Sequence, residues 1–114
     1  MRGAMQITEQ QDGNVVVVAI DGRMDAVTSV TADGRIMQVI GGGQPVVLDL
    51  SGLEYISSLG LRVLFKAAKQ AKAAQQSLAL AGLRPVVKEV FDISGFTGLF
   101  AIHPGRDDAL ISLR

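Results

Sequence analysis

The chain has 114 residues, which is enough for one domain around one hydrophobic core and too few for a two-domain enzyme with a cleft between its domains. Lys and Arg together number 11, as do Asp and Glu, only 4% of the residues are aromatic, and there is no Cys. The balanced charge and the scarcity of aromatic residues speak against nucleic-acid binding. The absence of Cys excludes disulfides, thiolate catalysis and thiolate metal sites.

No apolar run reaches the roughly 20 residues that a membrane-spanning helix requires. The N-terminus also lacks the charged and then apolar pattern of a signal peptide. We therefore expect one cytoplasmic domain over residues 1–114, with residues 1–4 either a cloning remnant or disordered, and we expect no membrane partner.

The chain opens with the pattern of a hairpin. Met5–Glu9 has the character of a short strand, and the Asp-Gly pair within 11–14 suits a hairpin turn because it tolerates positive φ angles. The next segment, NVVVVAIDG (14–22), has four consecutive valines and no polar face. It is therefore predicted to be a strand buried on both sides that ends at Gly22.

The middle of the chain alternates a helix, a turn, a strand and a second helix. Residues 25–40 have apolar residues at helical spacing, although Asp33–Gly34 within them weakens the prediction of one unbroken helix. Three glycines at 41–43 are predicted to form a turn, since the GxxxxGK[ST] pattern of a phosphate loop is absent. QPVVLDLSGL (44–53) is a second buried strand, and the helix predicted over 60–76 has a regular apolar stripe.

The remaining segments complete an alternating pattern. SLALAGL (77–83) is a third core strand, a helix opens at Arg84–Pro85, GLFAIH (98–103) is a short strand and 107–113 is a closing helix. The order is β-β-α-β-α-β-α-β-α, which predicts an α/β fold whose mixed sheet has four to five strands and about four helices. Such sheets place functional groups at the carboxyl ends of their parallel strands.

The segment EYISSLGLRVL (54–64) lies where a strand ends and the clearest helix begins. Ser57 or Ser58 is expected to cap that helix, a contribution of about 1 kcal/mol. A catalytic serine would need a base, but the only histidine, His103, lies late in the chain and the GxSxG pattern is absent. We therefore expect a binding module with no catalytic residues, and no enzyme.

A metal site is not expected either. Asp21, Asp25 and Asp49 are the acidic residues near strand ends, and their spacing matches no known ligand loop. No other pattern in the chain indicates a cofactor. Asp25 is expected to cap the helix that follows it at Ala26, and it also stands at the end of a strand, where a partner could reach it.

Three segments resemble the STAS domain (sulfate transporter and anti-sigma factor antagonist). VVLDLSGLEYISSLGLRVLFKAAKQAK (46–72) resembles the signature segment of the family. IDGRMDAVT (20–28) resembles the Gly-x-x-Asp segment after its second strand, with Asp25 in the acidic position, and RPVVKEVFDISGF (84–96) resembles its third helix. The matches occur in chain order and span nearly the whole sequence, and the length is similar to that of stand-alone bacterial anti-sigma factor antagonists.

The resemblance implies a role in partner switching. In this family the unmodified antagonist binds an anti-sigma factor, which is a serine kinase of histidine-kinase-like fold, and so frees a sigma factor. The kinase phosphorylates the antagonist at the start of the signature helix, and a phosphatase reverses the modification. The surface that would contact the partner here comprises Asp25, Ser57, Ser58, Leu59 and Gly60.

The sequence departs from the family at the phosphorylated position. The family pattern is Asp-Ser-Ser/Thr-Gly-Leu, and the residue just before Gly accepts the phosphate. The matching residue is Leu59, which has no hydroxyl. Ser58 and, after it, Ser57 are the remaining candidate phosphoacceptors, but one residue at a helix start rotates a side chain by about 100°. We expect the switch to be missing and the domain to stay competent for its partner.

Two other functions stay open at this stage. The first alternative is a STAS subunit of another regulatory assembly, such as a stressosome-like complex or a secretion regulator, with no sigma factor involved. STAS-like sheets can also carry apolar pockets, so a small-ligand or lipid-binding domain is the other alternative. The neutral net charge permits a monomer or a weak homodimer.

Overall fold

A computed structural model describes residues 5–113, so the expectation for residues 1–4 lies outside the described residues. Within that range six strands form one sheet, in the order β1-β2-β3-β5-β6, with β4 paired to the far end of β2. The strands are β1 (Met5–Asp12), β2 (Val15–Met24), β3 (Val46–Asp49), β4 (Leu53–Ile56), β5 (Leu78–Ala81) and β6 (Ala101–His103). β1 and β2 form the antiparallel hairpin, and the other pairs are parallel.

Four helices cover the sheet in the described part of the chain, together with a 3₁₀ turn at Thr97–Leu99. The helices are α1 (Thr28–Ile40), α2 (Ser58–Ala73), α3 (Pro85–Ile93) and α4 (Arg106–Ser112). The first three pack on one face of the sheet and α4 packs on the other. The predicted α/β class with a mixed sheet is confirmed, and the sheet has one strand more than the four to five expected.

The two faces of β2 and β3 are buried by different helices, which is why these strands lack a polar face. In β3, Val46 and Leu48 pack against the helices of the larger core, whereas Val47 points to the α4 side. In β2, Val18 belongs to the larger core and Val17 to the smaller one. The prediction of two-sided burial is therefore confirmed for both strands.

The additional strand arises from a turn inside the segment expected to be one strand. β3 ends at Asp49, and after the turn β4 pairs with the end of β2 instead of with β5. The Gly52 carbonyl accepts the Gly22 N–H at 2.9 Å, and a Cβ atom at Gly52 would overlap the Asp21 carboxylate. Contact with β2 therefore holds this turn.

Gly22 does not end β2, contrary to the expectation. The strand continues to Met24, and Gly22 has a φ of 98° at the point where the register shifts between Gly22 and Arg23. This bulge, a common role for a strand glycine, lets the second half of β2 pair with β4. The pair Asp33–Gly34 also leaves α1 unbroken, because both residues lie within one continuous helix.

Candidate partner-binding surface

The turns after β2 and β4 lie side by side at one edge of the sheet. The two strands are parallel and Met24 is paired with Ile56, so Asp25 and Ser57 leave the sheet together. The Ser57 N–H also donates to the Met24 carbonyl oxygen at 2.8 Å, which links the turns directly. The structure thus brings Asp25 together with Ser57–Gly60, as expected for residues at the carboxyl ends of parallel strands.

Asp25 organises the start of α1. Its Oδ1 accepts hydrogen bonds from the Val27 and Thr28 N–H groups, both at 2.9 Å, and its own N–H donates to Thr28 Oγ1 at 2.9 Å. The expected capping role is therefore present, but α1 begins at Thr28 and not at Ala26, because a turn separates the cap from the helix. The cap leaves one negative charge fixed at this edge.

The hydrogen bonds of Asp25 favour its charged form. The Thr28 N–H is the largest cause that lowers the pKa of Asp25 below its ordinary value, and the Thr28 hydroxyl and the Val27 N–H act in the same direction. Desolvation is the second-largest influence and opposes them, but the pKa of Asp25 is lowered on balance. Asp25 is therefore a carboxylate throughout the physiological pH range.

The two serines have different roles at the start of α2. Ser57 caps the helix, since its Oγ accepts the Gly60 N–H at 3.2 Å, and it is half-buried. Ser58 is the first helical residue, and its exposed side chain has no hydrogen-bond partner within residues 5–113. Of the two hydroxyls named as candidate phosphoacceptors, Ser58 is therefore the one open to solvent.

Leu59 and Gly60 occupy opposite environments. Leu59 is 43% exposed, although it lies in the first turn of a helix that packs on the sheet. Gly60 is buried, and a Cβ atom there would lie 2.7 Å from Ile56 Cγ1 and 3.1 Å from the Met24 carbonyl oxygen. The absence of a side chain at Gly60 lets α2 approach the ends of β2 and β4.

An open groove of about 300 Å³ lies between α1 and α2, next to these turns. Its walls are mainly apolar, and the Lys66 ammonium pairs with the Asp33 carboxylate at 3.1 Å among its lining residues. This groove was not predicted from the sequence. Val30, which lines it, is a signal that could have pointed to it, because Val30 does not fall on the buried stripe formed by Ser29, Ala32, Ile36 and Ile40.

The other residues considered for chemistry lie in local contacts of their own. Asp49 Oδ1 accepts the Ser51 N–H and hydroxyl at 3.1 and 2.8 Å, and Asp21 packs against Gly52. His103 ends β6, three strands from β2 across the sheet, and its Nε2 lies 3.2 Å from Ser112 Oγ. Residues 5–113 contain no cluster of three His, Asp or Glu side chains that could hold a metal ion.

Comparisons with known proteins identify the family. A model of the STAS domain matches residues 6–109, so this chain belongs to the STAS domain family, and the resemblance inferred from three segments is confirmed. No helix within the described residues 5–113 has the length and apolar character needed to cross a membrane.

Among its relatives, the chain is similar to BtrV of Bordetella bronchiseptica, which is named as an anti-sigma factor antagonist, with 35% identity over 111 residues that cover 96% of each chain. It is 26% identical to the anti-sigma-F factor antagonist RsfB of Mycobacterium tuberculosis, over 97% of this chain and 91% of that protein. The crystal structure of an anti-sigma factor antagonist from Mycobacterium paratuberculosis superposes with a TM-score of 0.89 at 25% identity, covering 96% of this chain and 94% of that one.

Proposed function

We propose that this protein is an anti-sigma factor antagonist: a cytoplasmic binding module, not an enzyme, that sequesters an anti-sigma factor and so frees a sigma factor. The observation that carries the proposal is the 35% identity with a protein named as an anti-sigma factor antagonist, over 96% of both chains. The partner would be an anti-sigma factor that is itself a serine kinase of histidine-kinase-like fold. A phosphatase would act in the same pathway if the phosphorylation switch operates.

The proposed contact surface is formed by the two adjoining turns. Asp25 supplies a fixed negative charge, and Ser58 and Leu59 supply an exposed hydroxyl and an exposed apolar side chain. Burial of the exposed part of Leu59 by a partner would contribute on the order of 1 kcal/mol. Ser57 and Gly60 position this surface: Ser57 caps α2, and Gly60 allows α2 to pack closely against the ends of β2 and β4.

The phosphorylation switch is proposed to be missing from this chain. Leu59 stands at the position where the family accepts phosphate, and the Ser57 hydroxyl is engaged in the helix cap. Ser58 remains available, but phosphoryl transfer needs the attacking oxygen within roughly 3–3.5 Å and in line, and a misplacement of about 1 Å can cost on the order of 100-fold in rate. A shift by one residue at a helix start moves the oxygen further than that, so the native chain would stay competent for its partner.

The binding part of the proposal is tested with the purified anti-sigma factor encoded in the same genome, by isothermal titration calorimetry. A stoichiometric complex that displaces the sigma factor supports antagonism, and no binding contradicts it. Affinity purification from the source bacterium extends the test to the alternatives. Recovery of other STAS chains, or of a co-purifying small molecule, in place of a histidine-kinase-like ATPase would favour another assembly or a ligand-binding role.

The switch is tested with the same anti-sigma factor and ATP, followed by mapping of any phosphate by mass spectrometry. The matched variant is Leu59→Ser, which restores a hydroxyl at the family position. An unlabelled native chain beside a labelled Leu59→Ser chain supports a missing switch. Stoichiometric phosphate on Ser58 that blocks binding would overturn it, and no label on either chain would show that the partner is not a kinase acting at this turn.

A further inference from the structure

The groove between α1 and α2 adjoins the proposed binding surface. Leu59 lines the groove and also belongs to the surface, and Ala26, another lining residue, follows Asp25 directly. A partner seated on the two turns would therefore reach the groove without a gap. An inference about its occupant rests on the proposed function, since the occupant is taken to be part of the same partner.

The walls of the groove are apolar and unusually exposed. Val30 is 74% exposed and faces the groove together with Leu59, although single exposed valines elsewhere on a surface need no explanation. Exposed apolar side chains that converge on one groove indicate a site for another apolar group.

The charges of the groove leave one cation unpaired. Asp33, Arg62 and Lys66 are its charged lining residues, and Asp33 is neutralised by Lys66 at 3.1 Å. The exposed Arg62 has no ion pair within residues 5–113. The groove thus has an excess of one positive charge, and an arginine at its rim is suited to hold a carboxylate through two parallel hydrogen bonds.

A polar group in the groove wall is also unsatisfied. Ser29 lines the groove and is only 3% exposed, yet its hydroxyl has no hydrogen-bond partner in the described part of the chain. Buried hydroxyls without partners are rare in folded proteins. An occupant that brought a polar group beside its apolar side chain would give this hydroxyl a partner after a rotation of the serine side chain.

We propose that the groove receives one large apolar side chain from a helix of the anti-sigma factor, and that an Asp or Glu one turn away on that helix pairs with Arg62. Residues three or four apart lie on the same face of a helix, so one helix can present both groups. The groove, at about 300 Å³, lies at the low end of the volumes of small-molecule sites and is open to solvent, which suits an inserted side chain better than an enclosed ligand.

The electrostatic part of this proposal is tested with Arg62→Glu, in a binding titration against the purified anti-sigma factor. The matched control is Lys72→Glu, which makes the same change of charge on the same helix at an exposed residue outside the groove. We expect Arg62→Glu to weaken binding at least tenfold and Lys72→Glu to change it less than twofold. Arg62→Gln, which removes the charge without reversing it, should weaken binding less and reduce its dependence on salt.

The apolar part is tested with Val30→Asp, matched with Val86→Asp on an exposed position of α3. We expect a loss of affinity of about tenfold or more for the first and little change for the second, with thermal unfolding used to confirm that all variants fold. If the native chain binds the anti-sigma factor and the groove variants bind as their controls do, the groove proposal is overturned and the proposed function stands. If the native chain binds no anti-sigma factor, both are overturned.

Discussion

The starts of α1 and α2 lie next to each other, yet they leave different groups available to a partner. At α1, one carboxylate oxygen of Asp25 accepts two backbone N–H groups and the Thr28 hydroxyl oxygen accepts the Asp25 N–H, so the turn is internally satisfied. At α2, a single hydroxyl accepts one N–H at 3.2 Å, and the next two residues, Ser58 and Leu59, are exposed. A fixed charge and an exposed turn are therefore built beside each other from the same local device, a helix cap.

The largest effect is expected from filling the space at Gly60, which joins the two turns. Gly60→Val places a Cβ atom 2.7 Å from Ile56 Cγ1 and 3.1 Å from the Met24 backbone, so the domain should lose at least about 1–3 kcal/mol of stability. Gly34→Ala is the control, because Gly34 lies in α1 and a Cβ there meets nothing within 4 Å. It should stabilise the protein by about 0.5–1 kcal/mol. Denaturant unfolding measures both, and an unchanged Gly60→Val curve would refute the packing role.

The next effect separates the two functions of Asp25. Asp25→Asn keeps an acceptor oxygen for the cap and removes the charge, whereas Asp25→Ala removes both. We expect Ala to lower the melting temperature clearly and Asn to lower it little, while Asn weakens binding to the anti-sigma factor. If Asn binds the partner as well as Asp does and Ala unfolds the domain, Asp25 has a structural role only.

A smaller effect distinguishes the two serines of the open turn. Ser57→Ala removes the cap of α2 and should cost about 1 kcal/mol. Ser58→Ala removes a hydroxyl that has no partner within residues 5–113, so stability should stay the same or rise slightly, since alanine favours the helix. Chemical denaturation of the two variants measures this difference, and equal losses would show that Ser58 also supports the helix.

The smallest effect is the dependence of the protein's stability on acid pH through Asp25, in the turn before α1. The folded state lowers the pKa of Asp25, so this carboxylate stabilises the fold fully above the unfolded-state pKa of about 3.9. That contribution is lost as the pH falls through the lower folded-state value. Asp25→Asn should therefore lose less stability in this acid range than the native chain does. Melting curves across the range test it, and parallel curves would show that Asp25 contributes nothing to acid sensitivity.

A residual acid dependence is expected in the Asp25→Asn variant because a second carboxylate is stabilised in the same way. The Thr97 hydroxyl is the largest cause that lowers the pKa of Asp92, and the Lys88 ammonium contributes as well. Asp92 lies at the end of α3, away from the two turns. Asp92→Asn combined with Asp25→Asn should therefore be less sensitive to acid than either single variant.

Much of the candidate site could be predicted from local sequence, because helix caps and strand ends are local features. Asp25 precedes a helical pattern and Ser57 stands three residues before Gly60, and each forms the cap that its position indicates. Their meeting was also foreseeable, since parallel strands end at one edge. The groove was not, because it depends on the distance between α1 and α2, which their separate sequences do not specify.

The alternation of strands and helices and the two-sided burial of β2 and β3 are specified by the sequence alone. These features follow from side-chain volume and apolar spacing within short segments. Tertiary contacts, in contrast, fix the separation of β4 from β3 and the continuation of β2 past Gly22. Both depend on the pairing of Gly22 with Leu53 and on the hydrogen bond from Gly22 to Gly52, 30 residues away in the chain. Local propensity carries no information about such a contact, so it is settled when the strands meet.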